Sequence, residues 1–66
     1  MTVVANGKPI DLPEGATIPA LIDAMGLAGR LLAAEVNGEA VARRELATTV
    51  LHDGDRVELV RAVAGG

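Results

Sequence analysis

Residues 17–27, "TIPALIDAMGL", are the one stretch of this chain with helical spacing of its apolar residues. Ile18, Leu21, Ile22 and Met25 recur at i, i+3, i+4 and i+7, which places them on one helix face. Thr17 stands where an N-cap belongs, and Pro19 is acceptable in a first helical turn. Gly26 falls where a left-handed residue would end the helix, with Leu27 as its hydrophobic contact. The spacing predicts a helix over about residues 18–25. A single helix cannot cover both faces of a sheet, so any sheet in this chain must wrap it on one side and turn its other face to solvent or to a partner.

The sequence on either side of the helix reads as strand. "MTVVANGKPIDL" holds two β-rich runs around Asn6 and Gly7, the pair that best tolerates the positive φ angles of a type I′ hairpin. Pro9 lacks an N–H, which makes the second run an edge strand. "LLAAEVNGEAVAR" repeats the pattern around Asn37 and Gly38. "RRELATTV" reads as a short helical turn or loop anchored by Leu46, and Asp53 and Gly54 form a turn before a final strand of about six residues. The order β-β-α-β-β-β is that of an α+β, β-grasp fold: a mixed sheet of four to five strands around one helix, with the first and last strands adjacent at its centre. Alternation directs Val3, Ala5, Val57 and Leu59 toward the helix and Val4, Glu58, Val60 and Ala62 away from it. Val4, Val60 and Ala62 are therefore candidates for an apolar docking patch on the outer face.

Composition narrows the chemistry. With 66 residues the chain is read as one domain, of a size that buries about 60% of its unfolded surface. There is no cysteine and no aromatic residue, so the core must be built from aliphatic side chains without disulfide or thiolate-metal staples. No signal peptide or membrane span is recognisable, and a soluble, cytoplasmic protein is expected. A net charge of −3 with six scattered basic residues gives no footprint for nucleic acid or a membrane surface.

Catalytic constellations are absent from the pattern. His52 is the single imidazole and sits beside a turn, where a solvated role is expected; Asp53, Asp55 and Glu58 are too few for a calcium loop. Asp53 is better explained by hydrogen bonding to nearby backbone N–H groups of its own turn. The glycines punctuate turns singly and match no phosphate-binding spacing. No catalytic residue, metal site or bound cofactor is expected.

The tail "VAGG", residues 63–66, follows almost directly from the central strand. Gly65 and Gly66 carry no Cβ, so they can pass through a narrow channel, and flexibility is expected there because nothing in the tail can pack. The reactive group at such a tip is the α-carboxylate of Gly66, inert until activated, for example as an acyl-adenylate.

In its early "NG" turn, the "TIPALIDAMGL" helix, "AAEVNGEAVAR" with its "VNG" and Arg43, and "LHDGDRVELVRAVAGG" with "DGD" and the terminal Gly-Gly, the chain resembles the ThiS family, the ubiquitin-like β-grasp sulfur carriers of thiamine biosynthesis. It departs from the family in having no aromatic residue, where relatives often carry a Trp near the place of Leu46 and a Phe in the strands. The resemblance implies a co-substrate rather than an enzyme. A ubiquitin-activating-type adenylyltransferase would use ATP and magnesium to adenylate Gly66. A sulfur donor system with a cysteine desulfurase would convert it to a thiocarboxylate, and thiazole synthase would accept the sulfur. Val63, Ala64 and Gly65 would thread the tail into each partner. Rival readings are the small subunit of molybdopterin synthase, and a ubiquitin-like modifier or interaction module.

Overall fold

The computed structural model describes residues 1–61. Two strands, β1 (Thr2–Ala5) and β2 (Lys8–Asp11), precede a single helix, α1 (Ile18–Ala24); β3 (Leu32–Val36), β4 (Glu39–Ala40), a 3₁₀ turn (Arg43–Glu45) and β5 (Arg56–Arg61) follow. The strands form one sheet in the order β2-β1-β5-β3-β4. β1 and β5 run parallel, whereas β1–β2, β3–β4 and β3–β5 are antiparallel. This is a ubiquitin-like β-grasp, with the first and last strands adjacent as the sequence predicts.

Both hairpins turn on their Asn-Gly pairs. Asn6 and Gly7 have φ of 51° and 80°, and Asn37 and Gly38 have 53° and 84°, the positive values that a type I′ turn demands at both central positions. Pro9 lies in β2 at the sheet edge, opposite Val4, where its missing N–H leaves no ladder bond unmade. β4 is only two residues long. One further bond, from Val41 N–H to the Ala34 carbonyl, continues the pairing before the chain turns into the 3₁₀ segment.

Ile18 and Leu21 of α1 are fully buried against Val3, Ala5, Val57 and Leu59, with Leu12, Ala16, Ala34 and Leu51 completing the core. Ile22, Met25, Leu27 and Leu46 pack on its margin. Each fully buried aliphatic side chain contributes about 1.5–3 kcal/mol relative to exposure. The helix entry differs in one detail from its sequence pattern. Thr17 occupies the N-cap position, but its side chain makes no capping bond. The backbone around it instead bridges residues 49–51: Ile18 N–H donates to the Thr49 carbonyl at 3.2 Å and Leu51 N–H to the Ala16 carbonyl at 2.8 Å. A short bridge to a distant segment thus takes the first free helix donor, Ile18 N–H, and fixes the helix entry without a side-chain cap.

β5 is held by more than its two neighbouring strands. β1 ends at Ala5, yet the Asn6 side chain extends its ladder: Leu59 N–H donates to Asn6 Oδ1 at 2.8 Å, and Asn6 Nδ2 donates to the Leu59 carbonyl at 3.2 Å. At the other end Arg56 N–H donates to Asn37 Oδ1 at 2.9 Å, and Asn37 N–H donates to the Arg56 carbonyl at 2.7 Å. Asn6→Ala is expected to cost about 2–4 kcal/mol, through left-handed strain and two orphaned backbone groups. Asn6→Gly relieves the strain and should cost about 1–2 kcal/mol. Urea denaturation of the two variants checks this, and equal midpoints for both and wild type would refute the side-chain ladder.

Candidate functional site

Since α1 covers one face of the sheet, the opposite face carries the exposed alternation: Thr2 and Val4 from β1, Arg56, Glu58 and Val60 from β5, and Ala33 and Glu35 from β3. Val4 and Val60 both lie here, but strand register keeps them apart. Val4 is paired with Arg56 and Val60 with Ala33. Four residues of β5 separate the two valines, about 13 Å along the strand, with Glu58 between them. Val4 and Val60, expected in one patch with Ala62, are therefore not neighbours on this face. Ala62, Val63, Ala64, Gly65 and Gly66 lie outside the described residues.

Val60, 57% exposed, has other apolar company. It borders a groove of about 150 Å³ formed with Ala33, Ala40 and Val41, and flanked by Glu35 and Glu58. The groove exists because small alanines on β3 and β4 sit beside longer side chains, leaving a dip in the sheet surface. Glu35 and Glu58 are direct cross-strand partners. Reading "LAAEV" (residues 32–36) with the same alternation used for β5 places Ala33 and Glu35 on this face, so the signal was present in the sequence; what it lacked was the register that puts Glu35 opposite Glu58.

The other singled-out residues are structural. His52 is an exposed turn residue whose Nδ1 lies 3.9 Å from Asp55 Oδ2. Asp55, not Asp53, serves the local turn: its Oδ2 accepts from His52 N–H at 2.8 Å and its Oδ1 from Asn37 Nδ2 at 3.0 Å. Asp53 reaches across to β1, accepting the Thr2 N–H at 2.7 Å, so the expectation that it serves its own turn is corrected. The acidic run ties the start of β5 to β1 and to the β3–β4 turn, which accounts for those carboxylates without a ligand. Among the described residues no group of three or more His, Cys, Asp or Glu is placed to hold a metal ion, and no helix is long and apolar enough to cross a membrane. Arg43 and Arg44 are exposed in the 3₁₀ turn.

The two valines of β5 allow a direct contrast. Val57 is fully buried under α1, and Val57→Ala should cost about 1.5–3 kcal/mol. Val60→Ser should cost less than about 1 kcal/mol, because it changes only an exposed strand position. Thermal denaturation of the two variants distinguishes them, and a large loss for Val60→Ser would mean that the groove serves folding.

Comparison with known proteins adds the following. The model of the ThiS family matches residues 2–66. A crystal structure of the thiamine biosynthesis protein ThiS from Geobacter metallireducens superposes with a TM-score of 0.80 at 32% identity, covering all of both chains. A solution structure of a thiamine biosynthesis protein from the same organism gives a TM-score of 0.73 at 33% identity, covering all of this chain and 88% of that one. A thiazole synthase from Paramagnetospirillum magneticum is 33% identical over all 66 residues, but the chain spans only 20% of that relative's length.

Proposed function

The chain belongs to the ThiS family, small sulfur carriers of thiamine biosynthesis, and from that premise we propose that Gly66 is the residue that carries the sulfur. In this reading an adenylyltransferase of the ubiquitin-activating type uses ATP and magnesium to join the Gly66 carboxylate to AMP, releasing pyrophosphate. A sulfur nucleophile, derived from cysteine through a desulfurase, then attacks the activated carbonyl carbon. The C–O bond to AMP breaks and AMP leaves; the sulfur arrives as a persulfide, so the product is an acyl disulfide, and a second thiol cleaves its S–S bond, forming a disulfide with the donor and leaving Gly66 as a thiocarboxylate. Thiazole synthase takes that sulfur and returns the carboxylate. The protein is a cytoplasmic co-substrate with no active site or bound cofactor of its own, and the chemistry is performed on its tail by its partners.

The observation that carries the reading is the position of β5. It is the central strand, gripped on both sides, and it delivers the chain at Arg61, five residues before Gly66. Five residues fully extended span at most about 17 Å, enough to enter a partner's site while the sheet stays outside it. The likeness of the whole chain to a fifth of a thiazole synthase supports that enzyme as the acceptor, since a carrier domain and its acceptor profit from being held together.

Incubation with ATP, cysteine and an extract of the source cells should raise the intact mass of the full-length protein by the exchange of one oxygen for sulfur. A variant lacking Gly66 should show no such gain and an unchanged urea midpoint, because the core is built from residues between Val3 and Leu59. Thiazole formation supported by the Gly66 deletion would overturn the assignment.

A further inference from the structure

We propose that the outer-face groove is where thiazole synthase docks, with an arginine or lysine of that enzyme seated between Glu35 and Glu58 and an apolar side chain lying against Val60. The inference rests on thiazole synthase being the acceptor, as proposed above, and adds the surface and the chemistry by which it is recognised.

The charge arrangement points to this occupant. Glu35 and Glu58 face each other directly across the β3–β5 ladder, in the middle of the sheet. Directly opposed side chains in an antiparallel pair have Cβ atoms about 4.5–5.5 Å apart, and like charges at that spacing destabilise a sheet. Neither carboxylate has a cationic partner among the described residues; Arg56, two positions from Glu58 on the same face, makes no ion pair with either. A cation inserted from outside replaces that repulsion with two attractions, and a guanidinium can hydrogen-bond to both carboxylates at once.

The groove beside the pair fits the rest of such a contact. Its alanine floor accepts a side chain, and Val60 supplies an exposed apolar wall. An apolar centre with a charged rim is the usual anatomy of a docking patch. The groove also lies one residue from Arg61, where β5 ends. A partner seated on it is therefore adjacent to the point from which the carrier's last residues depart. The requirement for a basic partner agrees with the protein's net charge of −3.

Calorimetric titration of the full-length carrier with thiazole synthase from the same source, at low and near-physiological salt, tests the proposal. The double variant E35Q/E58Q should bind at least tenfold more weakly at low salt and lose most of the salt dependence. V60S should bind several-fold more weakly with the salt dependence intact. The melting temperature of E35Q/E58Q should equal or exceed that of wild type, because the substitution removes a repulsion, and this separates lost docking from lost folding. Unchanged affinity and salt dependence in the double variant would overturn the inference alone. The same is true of a loss of binding seen toward the adenylyltransferase but not toward thiazole synthase. Failure of wild-type carrier to bind thiazole synthase at all would overturn the assigned acceptor as well.

Discussion

The structure depends on how β5 is held. A six-residue strand at the centre of a small sheet would ordinarily be bonded along its length on both sides, yet β1 is only four residues long and its residue pairing reaches β5 at Val4 and Ala5 alone. The deficit is met by Asn6, whose amide gives Leu59 an acceptor and a donor in place of a strand neighbour. Asn37 does the corresponding work at Arg56 and also reaches Asp55. Asparagine is well suited to both positions because it tolerates the left-handed angle of the turn while its side chain mimics a peptide group. The same two residues therefore reverse the chain and lock the last strand into the sheet.

That arrangement explains why a chain with no aromatic residue and no covalent staple builds a defined fold. Its core is a layer one side chain deep, between one short helix and one sheet face, filled by Val, Leu, Ile and Ala. Among the described residues no polar or charged residue is buried, and no buried side-chain nitrogen or oxygen lacks a hydrogen bond. Hydrogen bonding is concentrated where the strands meet the turns, at Asn6, Asn37, Asp53 and Asp55, and it specifies register there. Burial holds the layers together, and the turns decide which residues lie in which layer.

Much of this was legible in the sequence because its local signals agree with one another. Two Asn-Gly pairs, a proline in an edge strand, one amphipathic stretch and a glycine at its end each point to the same architecture. The failures share a cause. A turn aspartate such as Asp53 is expected to serve its own turn, because local partners are the default there, but the parallel pairing of β5 with β1 brings the Thr2 N–H within 2.7 Å of it. Thr17 sits at the expected cap position without its side-chain bond, since the backbone bridge to residues 49–51 had taken over that end of the helix. Val4 and Val60 share a face as expected, but alternation says nothing about distance along a strand, and register places Val60 beside Ala33 instead. Each error concerns pairing between residues far apart in sequence, which periodicity within one segment does not encode.

The division between the two sheet faces follows from the same physics. With one helix available, every apolar residue needed for folding has to point toward it, and the buried residues of β1, β3 and β5 all lie at inner positions. The outer positions are released from that duty and can hold residues that folding disfavours, such as two glutamates directly opposite each other. A repulsion in the middle of a sheet persists only where the inner face supplies enough stability to tolerate it, which here means the aliphatic layer under α1 and the double grip on β5. The β-grasp thus separates a face that pays for the fold from a face free to be shaped for recognition, and the strand that ends at Arg61 belongs to both.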